Sequence, residues 1–342
     1  MKYYIIAGEA SGDLHASNLI KEIIKLEPNA DIRAWGGDKM QNAGANVVKH
    51  FKDLAFMGFY EVLINLRTIL KNISFCKKDI LEFSPDKIIF VDYPGFNMRI
   101  AKWSKKYKFQ TIYYIAPQLW AWNEKRIKKI KKYIDSLYVI LPFEKEFFET
   151  KHKYPVKFLG HPLLDSISNF KKNYDSSSEQ IITNKKEVIA ILPGSRKQEI
   201  KKILNTVIKI VDYFPDHQFI VAGAPNIKLS YYKSILKNKR IKVIENKTYE
   251  ILSISTAAIV TSGTATLETA LFKVPQVVCY KSSYFSYFIA KLIVNIKYIS
   301  LVNLIMDQQI VKELIQQDCN KDKIRNELEK ILSSLSQNKY SQ

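Results

Sequence analysis

Cysteine is scarce. Cys76, Cys279 and Cys319 are the only three in 342 residues, and none stands at the CxxC or CxxH spacing of a zinc site. That usage excludes a disulfide-stapled scaffold and fits a reducing compartment. Long apolar runs are missing too: no stretch of about 18 apolar residues exists, so no helix is expected to span a membrane. The opening MKYYIIAGE has neither the apolar length nor the cleavage site of a signal peptide. The strand-to-helix turns carry neither GxGxxG nor GxxxxGK[ST], which removes the usual warrant for NAD binding or ATP hydrolysis. Acidic residues are outnumbered: 33 Asp and Glu stand against 53 Lys and Arg, a net charge of +20. This favours anionic partners, whether nucleic acid, lipid headgroups or phosphorylated substrates. No RRM, KH or helix-turn-helix signature supports nucleic acid, so that reading is set last.

What is present is a core and a rhythm. Hydrophobic residues make up 47% of the chain and aromatics 12%, enough to build an interior. In the first half KYYIIAG, DIRAWGG, KIIFVDY, QTIYYIA, SLYVIL and VKFLG read as strands, most of them separated by helical patterns. After a polar, serine-rich stretch the rhythm restarts with VIAILPGS, HQFIVAG, IKVIEN, AAIVTSG and PQVVCYK. The pattern predicts an α/β protein with two Rossmann-like domains facing a central cleft. The expected boundaries are 1–168, a linker or exposed excursion over 169–186, a second domain over 187–320, and a C-terminal helix over 321–342 that crosses back to the first domain. The tail from about residue 284 reads as helical.

In a parallel sheet the ligand-binding residues follow the carboxyl ends of strands. LPGSRKQEI, residues 192–200, does so: Gly194 lets a ligand approach the backbone, Ser195 suits an N-cap, and Arg196 adds a fixed positive fork for phosphate. A capped turn alone would account for Gly194 and Ser195. VTSGTATLETAL, residues 260–271, has the same layout. Ser262, Gly263, Thr264, Ala265 and Thr266 form a small-residue turn that a pyrophosphate could rest on without a metal. Glu268, one turn in, reads either as a ribose ligand or as a solvated helix acid. No metal and no cofactor is implied.

The first half opens on GEASGDLHA, a glycine turn with acids where a phosphate loop would sit. Gly8 and Gly12 would admit a sugar, while Glu9, Ser11 and Asp13 could hydrogen-bond its hydroxyls. His15 is either a proton carrier or a solvent-facing helix-start residue. Asp92, in FVDYPGFN, stands at a strand end before a Pro–Gly turn, as a general base or as a turn-capping acid. QLWAWNEKRIKKIKKY joins Trp120 and Trp122 to a basic helix, with Arg126 placed to meet a headgroup or phosphate; a solvated charged face is the plainer reading. Phe56, Met57, Phe59, Leu63 and Leu66 lie in an apolar stretch that suits either a buried helix or contact with an acyl chain or membrane. His161, in LGHPLLD, reads as structural or as a contact to ligand.

GEASGD, MGFYEVL, VDYPGFN, QLWAWNEKR, LPFEKEFF, FLGHPLLD, LPGSR, SGTATLE and IVKELIQ follow one another along nearly the whole chain. In this order they resemble the bacterial lipid-A-disaccharide synthases, inverting glycosyltransferases of the GT-B type. The resemblance implies transfer of 2,3-diacylglucosamine from UDP-2,3-diacylglucosamine to 2,3-diacylglucosamine 1-phosphate (lipid X), giving the β-1′,6-linked lipid A disaccharide 1-phosphate and UDP. It implies a peripheral enzyme on the cytoplasmic face of the inner membrane, and it admits a homodimer. It puts weight on Asp92 as base or essential acid, on Arg196 at the donor phosphate, and on Glu268 and Asn303 near the nucleotide. The chain departs from the family where Val302 replaces a common proline and where Gln308 stands near a usual arginine. A UDP-sugar epimerase on the same fold is the alternative from another reaction class.

Overall fold

The computed structural model describes residues 1–53, 66–174, 186–237, 240–294 and 296–340. The chain divides into two compact units, Met1–Pro162 and Leu163–Gln342.

The first unit is built on seven strands: β1 (Lys2–Ala7), β2 (Asp31–Gly36), β3 (Asn46–His50), β4 (Lys87–Val91), β5 (Gln110–Tyr114), β6 (Ser136–Val139) and β7 (Lys157–Phe158). Every pairing is parallel, in the order β3-β2-β1-β4-β5-β6-β7. The central strands are apolar on both faces because helices cover both. From Tyr3 to Ala7 every side chain of β1 is buried, as are those from Ile88 to Val91 of β4. Burying one Ile or Val completely contributes roughly 1.5–3 kcal/mol.

One polar network sits inside this apolar core. The Tyr4 hydroxyl donates to Asp79 Oδ2 at 2.6 Å and accepts from Trp35 Nε1 at 2.8 Å, while Arg33 Nη1 pairs with Asp79 Oδ1 at 3.0 Å. Asp79 rides on the helix Leu66–Phe83, whose Ile73, Cys76, Ile80 and Phe83 are buried beside it. Burial and the neighbouring acid push the Tyr4 hydroxyl pKa far up, so it stays a donor.

The second unit has six strands: β8 (Glu187–Leu192), β9 (His217–Gly223), β10 (Ile241–Glu245), β11 (Ser255–Thr261), β12 (Gln276–Tyr280) and β13 (Lys312–Ile315). They too are all parallel, in the order β10-β9-β8-β11-β12-β13. The helix Lys197–Val207 buries Ile200, Ile203, Leu204 and Val207, the i, i+3, i+4, i+7 spacing of one helical face. The last helix, Lys321–Tyr340, buries Ile324 and Leu328 in this unit's core and belongs to the second unit.

Two strands lay outside the sequence expectation. β3 and β13 are sheet edges, short and half-polar, and only pairing with a neighbour makes them strands. β13 also interrupts the tail that reads as helical. VKFLG shrinks to the two exposed residues of β7 at the other edge. The polar stretch expected over 169–186 begins inside the helix Leu163–Asn173, which anchors itself through Leu163 and Ile167. Phe56, Met57, Phe59 and Leu63 lie outside the described residues, whereas Leu66 is 45% exposed at the start of its helix. Among the described residues, no helix is long and apolar enough to cross a membrane.

Asp79→Ala leaves the half-buried Arg33 guanidinium without its carboxylate and the buried Tyr4 hydroxyl without its acceptor, and should cost about 2 kcal/mol. Chemical denaturation should register that loss, whereas Lys78→Ala, which cuts the exposed pair with Glu82, should move the midpoint by less than about 1 kcal/mol.

Candidate active site

In each sheet the strand order reverses at one point, between β1 and β4 in the first unit and between β8 and β11 in the second. Helices leave to opposite faces there, which opens a crevice at the carboxyl ends of the two strands. Register places Ala7 opposite Val91, and Leu192 opposite Val260. The loop opening at Gly8 is thereby set beside Asp92, and the LPGSR loop beside the SGTAT loop.

In the first unit β4 ends in a tight corner. Asp92 and the next residue, Tyr93, both hold left-handed backbone, φ 45° and 50°. Neither is glycine, so the corner is strained and something must hold it. Two buried donors do. Asn97 Nδ2 reaches the Asp92 carbonyl oxygen at 2.7 Å, and the Tyr113 hydroxyl reaches the same oxygen at 2.6 Å. The Tyr93 ring then lies on Gly8: a Cβ there would stand 2.3 Å from Tyr93 Cγ, so only glycine fits. Gly12 serves helix packing, its missing Cβ facing that of Ala7 at 3.2 Å. Burial raises the Asp92 carboxyl above the usual carboxylate range, with a hydrogen bond from the Tyr93 backbone pulling the other way.

The other candidates of this loop separate. Glu9 precedes the helix Ala10–Leu26 and lies close enough to Tyr93 to help raise its hydroxyl pKa, after burial. Ser11 is exposed on the first turn. Asp13 is buried, and its carboxylate accepts the backbone N–H groups of Gly37 (2.7 Å), Lys39 (3.2 Å) and Met40 (3.1 Å). It caps the short helix Asp38–Asn42 and ties the loop after β2 to the loop after β1. His15 does not face solvent. It is 6% exposed, with its ring 6.2 Å from that of His161 in an edge-on contact. Burial first, then His161 and Lys39, push its pKa down to about 4; burial does the same to His161. Both imidazoles are neutral at pH 7, which makes His15 a weak base.

Trp120 and Arg126 do not converge. Trp120 Nε1 donates to the buried Glu144 at 3.1 Å, while Arg126 sits 4.5 Å from the centre of the Trp122 ring. The basic stretch is a short helix, Leu119–Trp122, and then Ile127–Tyr133, which buries Ile127 and Ile130 and leaves its lysines on the outer face.

In the second unit Gly194 has φ 97°, and a Cβ would meet Glu199 Oε2 at 2.8 Å. Ser195 is not the N-cap. Arg196 occupies that position in extended backbone, and its exposed guanidinium lies 3.4 Å from Glu199 Oε1. The chain turns one residue later than the small polar side chain suggests. Across the crevice the helix Thr264–Leu271 starts from Gly263, φ 149°. Two of the expected hydroxyls are occupied by backbone carbonyls. Ser262 Oγ donates to the Ile299 carbonyl at 2.7 Å, and Thr266 Oγ1 to that of Gly263 at 2.8 Å. Thr264 is exposed at the helix start, followed by the half-buried Ala265. Glu268 Oε1 accepts from the Tyr249 hydroxyl at 3.1 Å, a partner the sequence did not signal.

Asn303 is fully buried and saturated. Its Nδ2 donates to the Val311 carbonyl and to Glu313, and its Oδ1 accepts from Ile310 and Val311, all within 2.8–2.9 Å. It braces the chain entering β13, while Ser262 ties residue 299 of the same segment to the SGTAT loop.

The comparisons fit this geometry. A family model described as lipid-A-disaccharide synthetase matches residues 3–342. The chain belongs to that family. Among lipid-A-disaccharide synthases it is 36% identical to that of Coxiella burnetii (strain Dugway 5J108-111) over 96% of this chain and 88% of the relative. It is 36% identical to lipid-A-disaccharide synthase 1 of Legionella pneumophila (strain Lens), over 92% of this chain and 84% of that one. Among solved structures it resembles the UDP-GlcNAc 2-epimerase of Methanocaldococcus jannaschii in complex with UDP-GlcNAc and UDP. The TM-score is 0.68 and the identity 14%, over 97% and 93% of the two chains. The glycotransferase of kitacinnamycin aligns with TM-score 0.63 and 10% identity, over 96% and 90%. At such identities these two likenesses carry the fold, which is GT-B, and not the reaction. As a lipid-A-disaccharide synthetase family member the chain is a glycosyltransferase; an epimerase reading has only the distant fold behind it.

His15 gives a pH signature. An unfolded histidine takes up its proton near pH 6.5, whereas folded His15 resists until about pH 4. Between these values the unfolded chain binds more protons, so stability should fall by roughly 3 kcal/mol as pH drops through that window. Denaturant unfolding at pH 7, 5.5 and 4.5 should show the slope; His15→Gln should reduce it and leave the share that His161 contributes over the same window.

Proposed function

We propose that the chain transfers 2,3-diacylglucosamine from UDP-2,3-diacylglucosamine to the 6-hydroxyl of 2,3-diacylglucosamine 1-phosphate, with inversion. The acceptor O6–H gives its proton to the Asp92 carboxylate. O6 attacks the anomeric carbon, the bond from that carbon to the UDP oxygen breaks, and the electron pair leaves with UDP. The α-linked donor becomes a β-1′,6 linkage without a covalent intermediate. The observation that carries this reading is Asp92: a carboxyl with a burial-raised pKa, on a strained corner at the switch point of the first sheet. A raised pKa suits a base working near neutrality.

Donor binding falls to the second unit. Arg196, exposed beside Glu199, would take the departing phosphate, and the amides opening the helix Thr264–Leu271 would support it. Glu268, oriented by Tyr249, would take ribose hydroxyls. Gly8, Glu9 and Ser11 would line the sugar site. Asp13 and Asn303 support the site by shaping loops, since their polar atoms already hold backbone. A peripheral position on the cytoplasmic face of the inner membrane is supported by exposed apolar side chains near lysines. These are Leu66 and Leu70 (45% and 56%) in one unit, and Phe288 and Leu292 (62% and 72%) in the other.

A mass-spectrometric transfer assay with the two lipid precursors tests this. UDP release that ignores the acceptor would sink it. Asp92→Asn should lower kcat by roughly a hundredfold or more while UDP still binds. The acid limb of the kcat/KM profile should lie above the ordinary carboxylate range, because activity is lost as pH falls through the raised Asp92 pKa. Arg196→Ala should raise the donor KM and lower kcat/KM by roughly tenfold or more; unchanged kinetics would remove it from the phosphate.

A further inference from the structure

We propose that Asn97 and Tyr113 are positioning residues for the transfer, a pair of buried donors that hold the Asp92 carboxylate in its working place by gripping its backbone. The proposal rests on Asp92 as the base. Asn97 comes from the first turn of the helix Pro94–Ser104, and Tyr113 from β5, so the grip spans two elements. Both side chains are 0% exposed. Their donors meet at one oxygen, the Asp92 carbonyl, at 2.7 Å and 2.6 Å. Asn97 Nδ2 also stands 3.4 Å from the carbonyls of Ile6 and Val91, the ends of β1 and β4, and so gathers the whole switch point around one amide.

The need for the grip is in the backbone. A left-handed conformation at two successive side-chain-bearing residues is costly, on the order of 1–3 kcal/mol for each residue held there, and persists only if the surroundings over-determine it. A relaxed corner would return Asp92 toward extended backbone and swing its carboxylate out of place. Buried Asn and Tyr also resist repacking, since an unpaired buried carbonyl is unfavourable. The charged groups around the corner are Glu9 and Arg99 beside Tyr93, and Arg126 beside Tyr113. None of them changes in the variants below.

The test is steady-state transfer with UDP-diacylglucosamine and diacylglucosamine 1-phosphate, across pH. Tyr113→Phe keeps the ring and its contact with Phe90 and removes one donor. It should lower kcat about tenfold, and Asn97→Ala about a hundredfold, with the donor KM within about twofold. With the corner relaxed, Asp92 gains solvent and its pKa falls toward the ordinary value, so the acid limb should move to lower pH. Should Asn97→Ala fail to fold, Tyr113→Phe decides alone. Wild-type kcat in Tyr113→Phe, or a reduced kcat with an unmoved acid limb, would overturn the proposal. Asp92→Asn separates the two levels. If it keeps full turnover, the base reading itself fails; if it abolishes turnover while Tyr113→Phe does not lower it, only the positioning role fails.

Discussion

Parallel pairing of β1 with β4, and of β8 with β11, is the constraint on which the rest depends. Each pair joins the two halves of a sheet whose helices cross in opposite directions. The strand ends cannot be covered by either set of helices, so their loops stay open to a ligand. Register then decides which residues meet. Ala7 opposite Val91 brings the GEASGD turn against the Asp92 corner, and Leu192 opposite Val260 brings Arg196 near the SGTAT helix.

The two crevices are built on one plan and tuned differently. In the first unit, buried side chains impose geometry on backbone: Asp13 binds amides from the next loop, and Asn97 and Tyr113 bind one carbonyl. The product is a fixed backbone corner that carries a burial-perturbed acid, Asp92. In the second unit, side-chain hydroxyls turn inward to hold loops, and Arg196 stands exposed beside Glu199 at the opening of its helix. Proton transfer needs a fixed, partly desolvated group, whereas a diphosphate needs accessible donors. The division of labour proposed above follows from those requirements.

Much of this was legible in the chain. Eleven β-rich runs match strands, most of them central ones, because buried parallel strands are written as apolar, β-branched runs. Their glycine turns mark the loops at the carboxyl ends of the switch-point strands. Two of the four edge strands were not legible, because β3 and β13 gain their identity only from a neighbour. The roles of single polar residues were the hardest to read. Asp13 and Asn303 look like ligand-binding residues, yet Asp13 is occupied by the backbone amides of Gly37, Lys39 and Met40, and Asn303 by Ile310, Val311 and the Glu313 carboxylate. Ser195 looks like a cap, yet the helix opens on Arg196.

The sequence by itself determined the fold class, the two phosphate-loop-like turns and the family, since apolar periodicity and ordered motifs are local properties. Tertiary structure alone decided which polar atoms are left for a ligand. Hydrogen-bond saturation of a buried side chain depends on partners brought together by the sheet, such as Asn97 and Tyr113 at one carbonyl oxygen. No local pattern records that meeting.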